Sequence, residues 1–166
     1  MEIGIHPTVV VMGVSGSGKT TVGLVLAHQL GVPFADADDF HSAEAKAKMA
    51  AGHPLTDADR APWLGRLADW LAGESAGCVL ACSALKHRYR EVLRTKSPKL
   101  CFLHLVGDPA VVTERVGHRT GHYMPAVLVD SQYADLEPLA PDEFGVAVDF
   151  TLGQEQIVER FLKEVQ

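Results

Sequence analysis

Short apolar runs alternate along the chain with stretches whose apolar residues recur every three or four positions. The apolar runs predict buried parallel strands, and the helical spacing predicts helices that cover them. The predicted strands are 8–13, 32–36, 78–82, 100–106 and 146–152. The predicted helices begin near Lys19, Ser42, Asp59, Lys86 and Asp108, and a last one carries the apolar face of 157–165. This alternation predicts an α/β fold with a five-stranded parallel sheet and helices on both faces.

Length and composition narrow this prediction to an ordinary globular protein. The chain has 166 residues, of which 47% are hydrophobic and 22% charged, so we expect a single domain over 1–166. The net charge of −6 argues against nucleic acid or an anionic membrane as the main partner. Cys78, Cys82 and Cys101 lie in predicted strands without zinc spacing, and we expect free buried thiols. The absence of a signal-peptide pattern and of a membrane-spanning run predicts a cytosolic protein.

Residues 13–20 read Gly-Val-Ser-Gly-Ser-Gly-Lys-Thr, a complete phosphate-loop motif between the first predicted strand and the first predicted helix. Glycines let successive backbone N–H groups wrap around phosphate oxygens, and the helix that follows adds the positive end of its dipole. Lys19 has the reach for the β- and γ-phosphates, and the Thr20 hydroxyl is a ligand for Mg²⁺. The motif predicts binding of a nucleoside triphosphate, with ATP and Mg²⁺ as cofactors. The predicted contacts are Gly13, Val14, Ser15, Gly16, Ser17, Gly18, Lys19, Thr20 and Thr21.

Carboxylates follow the second predicted strand, at the sheet edge where the phosphate loop also lies. Asp36 and Asp38 alternate along an extended segment, which places both on one side of the chain. Such a pair would accept a hydroxyl proton and help to hold Mg²⁺; the alternative is a helix cap with solvated charges. The third predicted strand ends in Cys82-Ser83 rather than in the aspartate of an orthodox Walker B motif. We therefore expect the carboxylates after the second strand to take that role.

Basic residues gather in two further segments, a predicted substrate flap at about 38–60 and a predicted lid at about 117–125. Arg60 suggests a bidentate grip on a carboxylate or phosphate, or else a surface ion pair with a neighbouring aspartate. Arg115 and Arg119 lie four residues apart, and arginines near a γ-phosphate stabilise the charge of the transition state. A solvated helix end would explain Arg119 equally well.

Taken together, these segments resemble the small gluconokinases. The shared motifs include Asp-Ala-Asp-Asp-Phe-His at 36–41, Asp59-Arg60 with Pro-Trp-Leu at 62–64, Cys-Ser-Ala-Leu-Lys at 82–86 and Arg-Thr-Gly-His-Tyr at 119–123. The similarity runs in order from about residue 8 to residue 143. It implies the three-layer P-loop fold of nucleoside and shikimate kinases. It also implies transfer of the ATP γ-phosphate to the 6-hydroxyl of D-gluconate.

The resemblance also implies roles for individual residues. Lys19, Asp38 and Arg119 would be catalytic, with Asp38 at the 6-hydroxyl, and Arg60 would clamp the gluconate carboxylate. Asp36 would act near Mg²⁺ together with Thr20. Arg115 and Arg119 would contact the triphosphate and adenine. Further candidates for sugar hydroxyls or phosphates are His41, Lys86, Arg90, His122 and Gln132. The chain departs from the family pattern at Met124-Pro125, where lid closure could differ.

Two other functional hypotheses are compatible with some of these motifs. One is another small-acceptor kinase, for shikimate or a nucleoside monophosphate, although Ser83-Ala84 stands where shikimate kinases usually carry a glycine triplet. The other is a nucleotide sensor without catalysis, against which the Asp36 and Asp38 pair argues. The sequence leaves the oligomeric state open, with a homodimer as one alternative.

Overall fold

Five short strands form one parallel sheet in the part of the chain that the structure, a computed structural model, describes: residues 7–117 and 126–165. The strands are β1 (Thr8–Met12), β2 (Phe34–Asp36), β3 (Cys78–Ala81), β4 (Cys101–Val106) and β5 (Gly145–Asp149). They lie in the order β2-β3-β1-β4-β5, and every pairing is parallel. The central strand β1 is fully buried from Val9 to Met12. The predicted five-stranded parallel sheet is confirmed.

Helices cover both faces of this sheet. They are α1 (Lys19–Leu30), α2 (Ala43–Ala50), α3 (Asp57–Gly73), α4 (His87–Arg94), α5 (Pro109–Gly117), α6 (Ala126–Asp135) and α7 (Gln154–Val165). Alternate residues of a strand face opposite sides, so β1 contributes to two separate apolar clusters. Val9 and Val11 pack with α1, α5 and α7, whereas Val10 and Met12 pack with α3 and α4. The arrangement is the expected three-layer α/β fold.

Local hydrogen bonds explain two of the element boundaries that differ from those predicted. Helix α3 begins at Asp57 rather than Asp59, because the Thr56 hydroxyl caps it by accepting from the Asp59 N–H at 3.1 Å. The Asp59 carboxylate accepts from the Thr56 N–H in return, at 2.8 Å. Strand β5 ends at Asp149 rather than continuing to 152, because the Asp149 carboxylate accepts from the N–H and the hydroxyl of Thr151 and forms a turn.

The sequence did not predict α6. This helix lacks a continuous apolar stripe: Val129 is buried, but Leu128 is exposed and Gln132 is directed to the phosphate loop. Its Tyr133 packs partly against the core and donates a hydrogen bond to the carbonyl of Gly107 at 2.9 Å. A helix held by polar contacts of this kind gives no strong periodic signal.

The three cysteines are buried and free, as the sequence predicts. Burial raises the pKa of Cys78, Cys82 and Cys101 to about 12 in each case. None of the described helices combines the length and apolar character that crossing a bilayer requires.

Candidate active site

The carboxyl ends of the strands open into a cleft that contains most of the residues singled out in the sequence. Its volume is about 1650 Å³, larger than the roughly 300–1,000 Å³ of a typical small-molecule site. The lining comes from the phosphate loop, the acidic segment after β2, the start of α3, the loop after β3, and from α5 and α6. A nucleotide and a second small molecule therefore have room side by side.

The phosphate loop connects β1 to α1 through a backbone that requires glycine. Gly13 and Gly16 have φ angles of +149° and +83°. A Cβ atom on Gly13 would lie 2.9 Å from the Leu105 carbonyl oxygen, and one on Gly16 would lie 2.8 Å from Cγ1 of Val116. The loop ends at the N-terminus of α1, where the helix dipole and the first backbone N–H groups favour an anion.

Two cations lie against this loop. The Lys19 ammonium donates to the Val14 carbonyl oxygen at 3.0 Å. The Arg115 guanidinium donates to the carbonyl oxygens of Gly16 at 3.3 Å and Phe150 at 3.0 Å, and its central carbon lies 4.9 Å from the centre of the Phe150 ring. Both side chains also line the cleft, so positive charge faces the space beside the loop despite the acidic character of the whole chain.

A hydroxyl and a carboxylate meet where α1 and β2 approach each other. The Thr20 hydroxyl donates to Asp36 Oδ2 at 3.0 Å. The other oxygen, Asp36 Oδ1, accepts from the Asp38 N–H at 2.9 Å and so caps the short 3₁₀ turn Ala37–Phe40. Oxygen donors of this kind are those that Mg²⁺ prefers. The structure therefore brings together the two residues that the sequence predicted as magnesium ligands.

Asp38 lies open to the cleft, with 88% of its side chain exposed. It lies within a concave surface, and the partial desolvation there, together with the negative charge of Asp36, raises its pKa. His41 lies nearby, with Nε2 at 3.9 Å from Asp38 Oδ1, and its ring stacks on Trp63 at a centroid distance of 4.4 Å. Burial lowers the pKa of His41, which favours a neutral imidazole at pH 7.

Arg60 faces the cleft from the first turns of α3. Its Nη1 donates to the Tyr89 hydroxyl at 3.3 Å and lies 3.6 Å from Asp57 Oδ1. The side chain of Arg60 is 32% exposed, so it is held in place and still accessible. Lys86 lines the same cleft, with its ammonium 4.0 Å from Asp135 Oδ1. The cleft thus combines a phosphate loop and carboxylates with Arg60 and Lys86, two cations that lie beyond the loop.

Gln132 of α6 lies in the cleft lining but contacts the phosphate loop. Its Oε1 accepts from the Ser15 N–H at 2.6 Å, and its Nε2 donates to the Ser15 hydroxyl at 3.0 Å. The expected contact of Gln132 with a sugar hydroxyl or a phosphate stays a prediction. The amide ties α6 to the residues that surround the phosphate position.

Arg90, predicted as a contact of a sugar hydroxyl or a phosphate, does not face the cleft in the conformation described. Its side chain is fully buried and lies outside the cleft lining. The guanidinium donates to Glu143 Oε2 at 2.6 Å and Oε1 at 3.0 Å, and to the carbonyl oxygens of Ala84 at 2.8 Å and Pro138 at 3.2 Å. Through these hydrogen bonds, Arg90 joins the loop after β3 to the segment before β5, which is a structural role.

Two predicted site residues, Arg119 and His122, lie outside the described residues, as does most of the predicted lid at 117–125. The structure also adds cleft residues that sequence reasoning missed. Trp63 and Tyr89 line the cleft, and Leu128, Ser131 and Asp135 do so from α6. Tryptophan and leucine at helical spacing predict a core face, so this periodicity does not indicate that Trp63 borders the cleft.

Comparisons with known proteins agree with this geometry. A family model described as Shikimate kinase matches residues 15–142. A gluconokinase of Gluconobacter oxydans is 42% identical over 99% of this chain and 95% of its own, and a probable gluconokinase of Mus musculus is 46% identical over 86% and 89%. The crystal structure of a gluconokinase from Sinorhizobium meliloti has a TM-score of 0.87 and 43% identity, covering 96% of this chain and 91% of that one. With a phosphate loop in its cleft and matches that extend over most of its length, the chain belongs to the shikimate kinase family of P-loop kinases, within its gluconokinase group.

Proposed function

We propose that this protein is an ATP-dependent gluconokinase that phosphorylates the 6-hydroxyl of D-gluconate. The observation that carries the proposal is one cleft lined by the phosphate-loop residue Lys19, the carboxylate of Asp38 and the guanidinium of Arg60. Such a cleft has a place for a triphosphate, a proton acceptor and a partner for an anionic acceptor. Full-length similarity to proteins named gluconokinase supports gluconate as that acceptor.

In this reaction the bond from gluconate O6 to the γ-phosphorus forms, and the bond from that phosphorus to the β–γ bridging oxygen breaks. The proton of the 6-hydroxyl passes to Asp38, whose raised pKa makes it a better proton acceptor than an ordinary aspartate. Lys19 and the N–H groups of the loop stabilise the negative charge on the phosphate oxygens. Phosphoryl transfer demands mainly positioning and charge stabilisation, and these residues provide both.

Arg60 would orient gluconate by gripping its carboxylate. A guanidinium matches a carboxylate with two parallel hydrogen bonds, which fixes direction as well as distance. With the carboxylate held at Arg60, the opposite end of the six-carbon chain carries the reacting hydroxyl. His41 and Lys86 line the cleft and are proposed contacts of the remaining hydroxyls.

Thr20 and Asp36 would hold Mg²⁺. Their hydroxyl and carboxylate oxygens lie 3.0 Å apart and are hard donors, which fits this ion and a shell that retains waters. When bound, Mg²⁺ neutralises charge on the β- and γ-phosphates. Asp36 Oδ1 already accepts from the Asp38 N–H, so the same side chain also sets the position of Asp38.

Several expectations stay predictions. They are Arg119 at the triphosphate, His122 at a sugar hydroxyl, Arg115 at the nucleotide, a homodimeric assembly and a cytosolic location.

The decisive assay is steady-state ADP release from Mg-ATP with a panel of acceptors: gluconate, other aldonates, shikimate, AMP and CMP. We expect turnover with gluconate and little with the others, and ³¹P NMR of the product will show a phosphate monoester at C6. Reactions without acceptor measure background ATP hydrolysis. Turnover with another acceptor would contradict the assignment of the substrate end of the cleft. Absence of turnover with every acceptor would contradict the kinase assignment and favour a nucleotide sensor.

A further inference from the structure

We propose that Tyr89 and Arg88 are positioning residues that hold Asp57 away from Arg60 and so keep the Arg60 guanidinium open to the substrate carboxylate. This inference rests on the proposed function, because it concerns the residue that would grip gluconate. It adds a specificity element to the cleft: without Tyr89 and Arg88, an internal carboxylate would compete with the substrate.

Asp57 is the natural competitor because of its place on α3. It lies three residues before Arg60, a spacing at which helical side chains contact each other. The two side chains are already near, with Arg60 Nη1 at 3.6 Å from Asp57 Oδ1. That distance is too long for a hydrogen bond, so the pair is close without closing into the two-bond arrangement that arginine and carboxylate favour.

Both oxygens of Asp57 are occupied by residues of α4. The Tyr89 hydroxyl donates to Oδ1 at 2.8 Å, and Arg88 Nη2 donates to Oδ2 at 2.7 Å. The hydrogen bond from Tyr89 is the leading cause that lowers the pKa of Asp57, so this carboxylate is charged at pH 7 and would otherwise be an effective partner for Arg60. Helix α4 therefore already provides a hydrogen-bond donor to each oxygen of Asp57.

Tyr89 also supports Arg60 directly. Its hydroxyl oxygen accepts from Arg60 Nη1 at 3.3 Å, and the Arg60 guanidinium carbon lies 5.5 Å from the centre of the Tyr89 ring. Among the described residues, the Arg60 side chain donates no other hydrogen bond. Most of its N–H donors are therefore available on a side chain that already lies in the cleft.

The expected rise in the KM for gluconate follows from the fraction of protein molecules in which Arg60 is not paired with Asp57. A site that is competent for only a fraction of the time binds its ligand more weakly by that fraction. If Asp57, once released, pairs with Arg60 for about nine-tenths of the time, the apparent KM for gluconate rises about tenfold. The KM for ATP and the kcat stay unchanged, because neither the phosphate loop nor Asp38 is touched.

The test is Tyr89→Phe, which keeps the ring over Arg60 and removes only the hydroxyl. We expect the KM for gluconate to rise about tenfold at constant kcat and constant KM for ATP. The double variant Tyr89→Phe with Asp57→Asn should restore the KM to within about twofold of wild type, because asparagine carries no charge to compete for Arg60. A residue with a merely structural role would not be rescued in this way.

Tyr133→Phe is the matched control, since its hydroxyl bonds the Gly107 carbonyl and it does not line the cleft. Arg88→Met is an independent variant that frees the other oxygen of Asp57 from an exposed position, and it should raise the KM for gluconate in the same way. Circular dichroism and Tm verify that each variant is folded.

Three results would overturn the inference, and they are distinguishable from one another. Unchanged KM for gluconate in both Tyr89→Phe and Arg88→Met, in an active enzyme, refutes the inference alone. A raised KM that Asp57→Asn does not restore shows that Asp57 is not the competitor. Absence of gluconate turnover in the wild-type protein overturns the proposed function, and the inference with it.

Discussion

The buried ion pair of Arg90 and Glu143 predicts a large loss of stability on a nearly isosteric change, Glu143→Gln. Both side chains are fully buried, and two hydrogen bonds join them at 2.6 and 3.0 Å. The variant removes the negative charge and directs an amide N–H₂ toward donors of the guanidinium. Arg90 is then left as a buried, uncompensated charge.

The magnitude follows from this arrangement. Breaking a buried pair by removing one partner costs about 3–5 kcal/mol. In a protein of this length, each kcal/mol shifts the Tm by roughly 2–4 °C. We therefore expect the Tm of Glu143→Gln to fall by about 6–20 °C, measured by differential scanning calorimetry at pH 7. The control is Asp69→Asn, which breaks the exposed ion pair with Lys96 and should shift the Tm by no more than about 4 °C.

The difference in Tm between wild type and Glu143→Gln also depends on pH. Burial by itself raises the pKa of Glu143, but the hydrogen bonds from Arg90 and from the Ala140 N–H outweigh it and hold the pKa below its ordinary value of 4.5. A carboxyl with a depressed folded-state pKa contributes stability above its unfolded pKa and loses it as the pH falls through the folded value. The difference in Tm between wild type and variant should therefore shrink below about pH 4.5.

Two results would refute this account of the Arg90–Glu143 pair. A Tm shift no larger than that of Asp69→Asn would show that the buried pair contributes little. An unchanged Tm with a raised KM for gluconate would restore Arg90 to the role of a substrate contact.

Three further predictions concern catalysis, each measured by steady-state ADP release. Lys19→Met should reduce kcat by roughly 10³-fold with an unchanged circular dichroism spectrum, and retained turnover would refute its role at the phosphates. Arg60→Lys keeps the charge but loses the planar fork, so the KM for gluconate should rise about tenfold while that for ATP stays constant; equal changes would place Arg60 at the nucleotide. Because the base must be deprotonated, kcat/KM should fall as the pH drops through a pKa that lies above the ordinary 3.8 of aspartate. Asp38→Asn should remove that acid limb together with most of the activity, and an unchanged acid limb would assign it to another group.

The parts of the site that the sequence predicted are those encoded within one short segment. The phosphate loop and the position of Thr20 depend on neighbours in the chain, and the structure places them as a local motif demands. Asp36 and Asp38 were expected on one extended segment, but Asp38 lies in the 3₁₀ turn that the Asp36 carboxylate caps, which is the alternative that the sequence also allowed. The largely apolar strands β1, β3 and β4 were predictable for the same reason, because a strand buried on both faces is nearly continuous in its hydrophobicity.

The parts that the sequence did not predict depend on contacts between distant segments. Arg90 and Glu143 are separated by 53 residues, and Ser15 and Gln132 by 117, so neither pairing leaves a periodic or spaced signal. A buried arginine has the same sequence signature as an arginine that binds a ligand. Only the tertiary contacts tell the two apart.

The burial of the three thiols makes this chain well suited to site-specific labelling. Cys78, Cys82 and Cys101 are inaccessible, and a pKa of about 12 leaves almost no thiolate at neutral pH. A maleimide dye will therefore react with introduced cysteines alone. Met49 of α2 and Leu128 of α6 both line the cleft and are 41% and 49% exposed. Dyes attached through Met49→Cys and Leu128→Cys will report the width of the cleft by energy transfer as each substrate binds, with every native cysteine left in place.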